Sequence, residues 1–355
     1  MRIRVLIVDD SPLVRKIAAD ILESDPDIEV IGTASNGEIA LRKIPKLAPD
    51  VVTMDIEMPG MGGLAAIREI MTHHPTPVIV MSAFATRGAE LTMQALELGA
   101  VDFIPKPSTS LSGGIDDISK VLIEKVKHAR SVAVRKLDAK AVVEPVRPAK
   151  RVRGFKGAPA NYEIVAIGTS TGGPVALRTV LAGFPADLPV GIVIVQHMPP
   201  VFTKAFSDRL DSLCEIRVRE AVDGDLIEPG LALVAPGDFH MTVSRYEGSA
   251  RVLLHRWNPV SGHRPSVDVL MHSVAREYRS RAVGVIMTGM GKDGAAGLGE
   301  LRKEGGYVIS QDKDTSIIYG MNREVITNGD ASEVAPLPEI AERIMDRLRI
   351  EQPVY

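Results

Sequence analysis

Apolar residues fall in short runs that alternate with segments of helical spacing, and this alternation occurs twice along the chain. In the first part the runs VLIV (5–8), EVIGTA (29–34), VVTMD (51–55), PVIVMSA (77–83) and VDFIPK (101–106) have the length and apolar continuity of buried strands. Between them, PLVRKIAADILESD repeats Leu13, Ile17, Ile21 and Leu22 at helical spacing. EIALRKIPKL, GLAAIREIMTHH, ELTMQALELG and a stretch near 115–130 read as further helices. Five strands alternating with five helices predict a doubly wound parallel sheet, so the first domain is placed at residues 1–125.

The pattern then breaks. RKLDAKAVVEPVRPAKRVRGFKGAP has prolines and glycines and no sustained period, and between Lys136 and Lys156 it carries seven basic and two acidic residues. Residues 126–158 are assigned as a solvated linker, with a docking patch for an acidic partner as the sharper alternative. A second alternation follows: strand EIVAIG, helix PVALRTVLAGF and strand VGIVIVQH. A turn-rich stretch at 217–256 then suggests a hairpin-like insertion. Helix SVDVLMHSVAREY, strand AVGVIMTG, helix GAAGLGELRKEG, strand YVISQD and a last helix near PEIAERIMDRLR complete it. The expected fold class is therefore α/β, with two doubly wound parallel-sheet domains. The first is flavodoxin-like, and the second, at 159–350, is Rossmann-like with a small β-hairpin insertion.

Composition narrows the function. The 355 residues are 45% hydrophobic and 25% charged, which suffices for two packed cores. The net charge of -3 gives no support for nucleic-acid binding. A single cysteine, Cys214, can make neither an internal disulfide nor a cysteine-rich zinc site, so a reducing cytoplasm is expected. Cys214 itself reads as a packing residue rather than a nucleophile. The apolar runs are strand-sized, far short of the roughly 20 residues a membrane helix needs. MRIRVLIVDD reaches two aspartates too early for a secretory signal. No membrane insertion is expected.

The first domain's predicted strands end on chemically coherent residues: Asp9 and Asp10, then Asp55, then Ser82, then Lys106. Open α/β sheets build their sites at this carboxyl edge. Clustered carboxylates call for a hard cation such as Mg2+, and one of them can then attack a phosphoryl group. Lys106 and the Ser82 hydroxyl would stabilise the transferred charge. DD after an apolar strand, MDIEMPGMGG, MSA and the Lys106–Pro107 pair resemble the receiver domains of two-component response regulators. The resemblance implies phosphorylation of Asp55 by a sensor histidine kinase, with Mg2+ on Asp10 and Asp55 beside Asp9. It also implies a cis bond before Pro107. Phe103 falls at the family's aromatic switch position, with plain core packing as the other reading.

In the second domain, Gly168 to Gly172 spells G-x-S-x-G between a strand and a helix, a nucleophile-elbow pattern centred on Ser170. Taken alone, it could equally be a phosphate-cradling glycine loop. The other strand ends decide between them. His197 closes VGIVIVQH and Asp293 lies just beyond AVGVIMTG, so Ser, His and Asp come from three strands at one sheet edge. The order Ser, His, Asp differs from the usual α/β-hydrolases, but triads are defined by geometry. Amides near Thr171 would receive the oxyanion.

GTSTGGP, VQHMP, TGMGKDGAAGL and YGMNREVI are similar to the catalytic domain of the chemotaxis protein-glutamate methylesterases, the CheB family, and the receiver in front gives the same whole-chain architecture. Asn322 departs from the proline expected in YGMNRE. The resemblance implies hydrolysis of glutamyl γ-methyl esters on methyl-accepting chemoreceptors, deamidation of selected glutamines, no cofactor for the esterase, and Met290 as a second oxyanion donor. It further implies that the unphosphorylated receiver covers the catalytic face and that phosphorylation releases it. His240, His255, His263 and His272 lack metal-ligand spacing, so no zinc is expected. Arg264 and Asp268 read either as cleft residues or as surface ion-pairing residues. Of two rival outputs, a helix-turn-helix regulator would be a basic module of about 60–100 residues rather than a long α/β segment of mixed charge, and a nucleotide-binding module leaves His197 and Asp293 unexplained.

Overall fold

A computed structural model of the chain describes residues 1–106, 115–132, 134 and 162–348. The chain divides into two compact units, Met1–Glu144 and Pro145–Tyr355.

The first unit runs β1 (Ile3–Val8), α1 (Pro12–Glu23), β2 (Ile28–Ala34), α2 (Gly37–Leu47), β3 (Val51–Asp55), α3 (Gly63–His73), β4 (Val78–Ser82), α4 (Thr86–Glu97), β5 (Asp102–Pro105) and α5 (Ile115–Ala129). The sheet order is β2-β1-β3-β4-β5 and every pairing is parallel. β3 and β4 are buried along their whole length. That is why their sequences are continuously apolar rather than alternating. α1 starts where Ser11 accepts the Val14 N–H at 3.4 Å and Pro12 supplies a pre-set φ in the first turn. The strand order reverses between β1 and β3, so the crevice opens over the ends of those two strands.

The second unit runs β6 (Ile164–Thr169), α6 (Gly173–Leu181), β7 (Gly191–Gln196), α7 (Phe202–Leu213), β8 (Arg217–Glu220), β9 (Leu231–Val234), β10 (His240–Tyr246), β11 (Ser249–His255), α8 (Val267–Tyr278), β12 (Ala282–Ile286), α9 (Ala295–Lys303), β13 (Tyr307–Gln311), α10 (Met321–Thr327), β14 (Glu333–Ala335) and α11 (Ile340–Leu348). Seven strands form one parallel sheet, β14-β13-β12-β6-β7-β9-β8, and β10 pairs with β11 as a separate antiparallel hairpin. The insertion is thus the hairpin alone. β8 and β9, which the sequence reading grouped with it, extend the parallel sheet. Helix α7 was not expected at all.

The hydrophobic core of this unit shows how the hairpin is held. Ile164 and Ala166 of β6, Val193 and Val195 of β7, and Leu231 and Leu233 of β9 are buried in one cluster. Their period of two puts them on a single sheet face. Leu270, Met271 and Val274 of α8 and Met241, Val243 and Val252 of the hairpin belong to the same cluster. The switch in strand order falls between β6 and β12, and α8 packs beside it.

Candidate active site

The register of the central strands brings the candidate nucleophile and base together. Thr169 of β6 pairs with Gln196 of β7, so the next residues, Ser170 and His197, emerge side by side. The two strand ends are also tied by hydrogen bonds. The His197 N–H donates to Thr169 O at 3.2 Å, and Gln196 Nε2 donates to both Ser170 O and His197 O at 3.0 Å. On the other side, the Ser170 N–H donates to Thr288 O at 3.1 Å. Gly289 follows, where an added Cβ would lie 2.9 Å from the Ser170 Cβ. The loop carrying Met290 therefore passes directly against the elbow. Gly172, the N-cap of α6, has φ +77°, and a Cβ there would meet Ile317 at 2.6 Å. Both its conformation and its surroundings call for glycine.

His197 and Asp293 form the central contact. His197 Nε2 lies 2.7 Å from Asp293 Oδ2, and both side chains are almost fully buried. His197 Nδ1 is also buried and has no hydrogen-bond partner. The ring therefore offers Nδ1 as its free basic nitrogen, with Nε2 carrying the proton given to the acid. This is the reverse of the arrangement in chymotrypsin, whose histidine donates its Nδ1–H to the acid.

Asp293 is not an N-cap of the following helix, whose N-cap is Gly294. It sits instead at the amino end of α8. Ser266 Oγ donates to Oδ1 at 2.8 Å, the Val267 N–H to Oδ2 at 2.7 Å and the Asp268 N–H to Oδ1 at 3.0 Å. Burial works to raise its pKa, but the hydrogen bond and charge of His197, the Asp268 amide and the Ser266 hydroxyl outweigh it and bring the carboxyl down to about 2. A helix amino terminus aimed at a carboxylate explains why the acid stays ionised.

Several of these contributors were invisible as site residues. Ser266, Gln196 and Thr288 reach Asp293 and Ser170 through hydrogen bonds across 25 or more positions of sequence. Ser266 carried one local signal, a serine immediately before an apolar helical run, which marks an N-cap. Arg264 and Asp268 line no ion-paired cleft together. Arg264 pairs with Asp238, its Nε 3.0 Å from Oδ1, whereas Asp268 is buried and accepts the Gly297 N–H at 2.8 Å. Burial raises the Asp268 pKa. Cys214 is half-buried, and burial, then Asp211, pushes its thiol up to about 12, which suits packing rather than nucleophilic attack. Asn322 is fully buried and donates to Gln311 O at 3.0 Å and Ser316 Oγ at 2.7 Å, so it braces the loop where proline was expected.

The first unit has its own polar cluster at the β1/β3 crevice. Lys106 Nζ lies 2.9 Å from Asp9 Oδ2 and 2.7 Å from Asp55 Oδ2. Asp9, Asp10 and Asp55 each offer a carboxylate oxygen, all within 4.8 Å of one another. Burial, then the neighbouring Asp9, raises the Asp55 pKa to about 6 against the pull of Lys106. Three carboxylates facing one ammonium leave a negative excess, which fits a divalent cation with oxygen ligands. The Ser82 hydroxyl, buried at the end of β4, donates to Gly88 O at 3.0 Å. Phe103 is buried in β5, with the Lys125 ammonium 5.6 Å from its ring centre. Pro107 lies outside the described residues.

Comparison with known proteins gives each unit a family. Residues 5–112 match the family described as response regulator receiver domain, and residues 165–344 match CheB methylesterase. A protein-glutamate methylesterase/protein-glutamine glutaminase of Pyrococcus horikoshii is 46% identical over 350 residues, covering 98% of this chain and 94% of the relative. The chain belongs to the CheB methylesterase family. A CheB relative of the same description from Sulfurimonas denitrificans is 45% identical over 349 residues, 98% of this chain and 99% of its own length. The crystal structure of the Thermotoga maritima CheB methylesterase catalytic domain is 42% identical. It has a TM-score of 0.51 and covers 52% of this chain and 98% of its own. Both parallel-sheet units and the order receiver, then CheB domain, agree with the sequence expectation. No helix among the described residues is long and apolar enough to cross a membrane.

Proposed function

We propose that the chain is a phosphorylation-activated protein-glutamate methylesterase and protein-glutamine glutaminase acting on the cytoplasmic region of chemoreceptors. The observation that carries this reading is the contact from His197 Nε2 to the buried Asp293 carboxylate, which leaves the unpartnered Nδ1 beside the Ser170 elbow.

Nδ1 takes the Ser170 hydroxyl proton as the oxygen attacks the ester carbonyl. Asp293, already ionised, stabilises the imidazolium that forms. The Ser170 N–H is committed to Thr288 O, and we assign the oxyanion to the amides of Thr171 and Met290. The tetrahedral adduct collapses and the imidazolium gives its proton to the departing methoxide, which leaves as methanol. Water then cleaves the acyl-serine, leaving a glutamate. A glutamine side chain follows the same course with ammonia as the leaving group.

In the receiver, Asp55 accepts the phosphoryl group from a sensor histidine kinase, and Asp9, Asp10 and Asp55 would hold Mg2+. The cation would neutralise charge on the transferred group. Lys106 pairs with that group, and Ser82 turns from Gly88 O to donate to it. Domain limits of 1–125 and 159–350 belong to the same proposal, with helix α5 carrying the first domain on to Ala129.

The test is methanol release from methylated chemoreceptor membranes, comparing wild type with Ser170→Ala, each with and without a small phosphodonor and Mg2+. Wild type should release methanol faster with the phosphodonor. Ser170→Ala should fall by at least about a thousandfold while Asp55 still takes phosphate. Absence of release from wild type in both conditions would reject the reading.

A further inference from the structure

The His197 ring has hydrogen bonding at only one of its nitrogens. A ring tethered by Nε2 alone can swing about that contact, and Nδ1 must stay aimed at the Ser170 hydroxyl. Something else has to fix its plane. The ring of His263 lies against it, with centroids 3.8 Å apart and planes inclined by 13°.

His263 is itself held by a braced loop. Its backbone exchanges hydrogen bonds with Val260, at 2.9 and 3.1 Å. The next residue, Arg264, donates to Trp257 O at 2.9 Å and pairs with Asp238. Beneath the loop, His240 is fully buried. Its Nε2 donates to Asn258 O at 3.1 Å and its Nδ1 accepts the Ser266 N–H at 3.2 Å, so one neutral imidazole pins both ends of the segment. Burial lowers the His240 pKa, in keeping with that neutral form. Ser266 in turn donates to Asp293. The loop that presents His263 and the helix end that cradles Asp293 are thus one continuous piece of chain.

We infer that His263 is a positioning residue, a flat clamp that sets the plane of the His197 ring so that Nδ1 points at Ser170. A second contribution follows from the same contact. When His197 becomes charged, the stacked ring offers it a π face in place of water. Both roles require a planar aromatic side chain and neither requires a ring nitrogen. Displacements of about 1 Å in a reacting group cost about a hundredfold in rate, so loss of the clamp should be visible in turnover. The inference deepens the triad reading and rests on it.

The experiment measures methanol release from methylated chemoreceptor membranes by the full chain carrying His263→Ala, His263→Leu or His263→Phe, with Ser170→Ala alongside. The expected result is a fall in kcat of about 10–100-fold for Ala and Leu, with KM changed by less than about threefold. His263→Phe should recover kcat to within about fivefold of wild type and keep the wild-type shape of the pH profile. Thermal midpoints check that all variants are folded. Equal, severe loss in all three folded variants would overturn the inference and point to a ring nitrogen of His263. Wild-type rates in all three, or a Leu variant as active as the Phe variant, would overturn it too. An active Ser170→Ala would instead overturn the triad reading, which keeps the two failures distinct.

Discussion

Asp55 shows how a site residue is kept in tension with its fold. Its carboxyl is almost fully buried next to Asp9, and its pKa is raised to about 6 from 3.8. The folded state therefore holds a proton that the unfolded chain has lost between about pH 4 and pH 6. Stability from this group is present below pH 4 and disappears as the pH rises through 6. The gap corresponds to about 3 kcal/mol at neutral pH. Asp55→Asn keeps the shape and removes the charge, so the first unit should gain about 1–3 kcal/mol at pH 8 without Mg2+ and almost nothing at pH 4. Hydrogen exchange of the β1 and β3 amides in the full chain reads this directly. Slower exchange in the variant at pH 8 is expected, and faster exchange would contradict the account. Individual acids and bases were legible from the sequence because each stands at the end of an apolar strand. What Asp55 experiences was not, since burial and the approach of Asp9 exist only after β1 and β3 have paired.

At the scale of elements, the amino end of α8 joins stability to chemistry. Ser266 caps the helix by accepting the Val269 N–H at 3.4 Å while its hydroxyl donates to Asp293. Ser266→Ala should cost about 1–2 kcal/mol of stability through the lost cap. It also removes a hydrogen bond to a charged group, so kcat should fall about tenfold or more. Ser266→Thr retains the hydroxyl and should restore both, by thermal midpoint and by methanol release. Recovery of stability without recovery of kcat would show that the hydroxyl does not serve Asp293. The helix itself was readable from its apolar period, and so were most other elements. Helix α7 was not assigned although Phe202, Ala205, Phe206 and Leu210 are buried at helical spacing, because the Pro199–Pro200 pair just before it reads as a loop. β8 and β9 have only four residues each, too few for their period to say which sheet they join. Pairing with β7 decides that, and it is a contact between distant parts of the chain.

At the scale of the whole molecule, the residues assigned to each site come from a single unit. Asp9, Asp10, Asp55, Ser82 and Lys106 lie in Met1–Glu144, and Ser170, His197, Asp293 and His263 lie in Pro145–Tyr355. The proposed triad is thus drawn without any residue of the receiver. A receiver that supplies no reacting group can act by biasing access to the esterase or its conformation, and phosphorylation would shift that bias. The coupling is an energy between two sites, typically worth about 5–150-fold. Residues 160–355 alone should therefore hydrolyse methylated receptors faster than the unphosphorylated full chain, by a factor within that range. They should be indifferent to a phosphodonor, whereas the full chain should rise toward the rate of the fragment when Asp55 is phosphorylated. Asp55→Asn in the full chain should stay at the low rate with the phosphodonor present. The decisive comparison is the fragment against the unphosphorylated full chain at equal concentration. Equal rates would mean that the receiver exerts no restraint, and its phosphorylation would then have to act by recruiting the enzyme to its substrate instead.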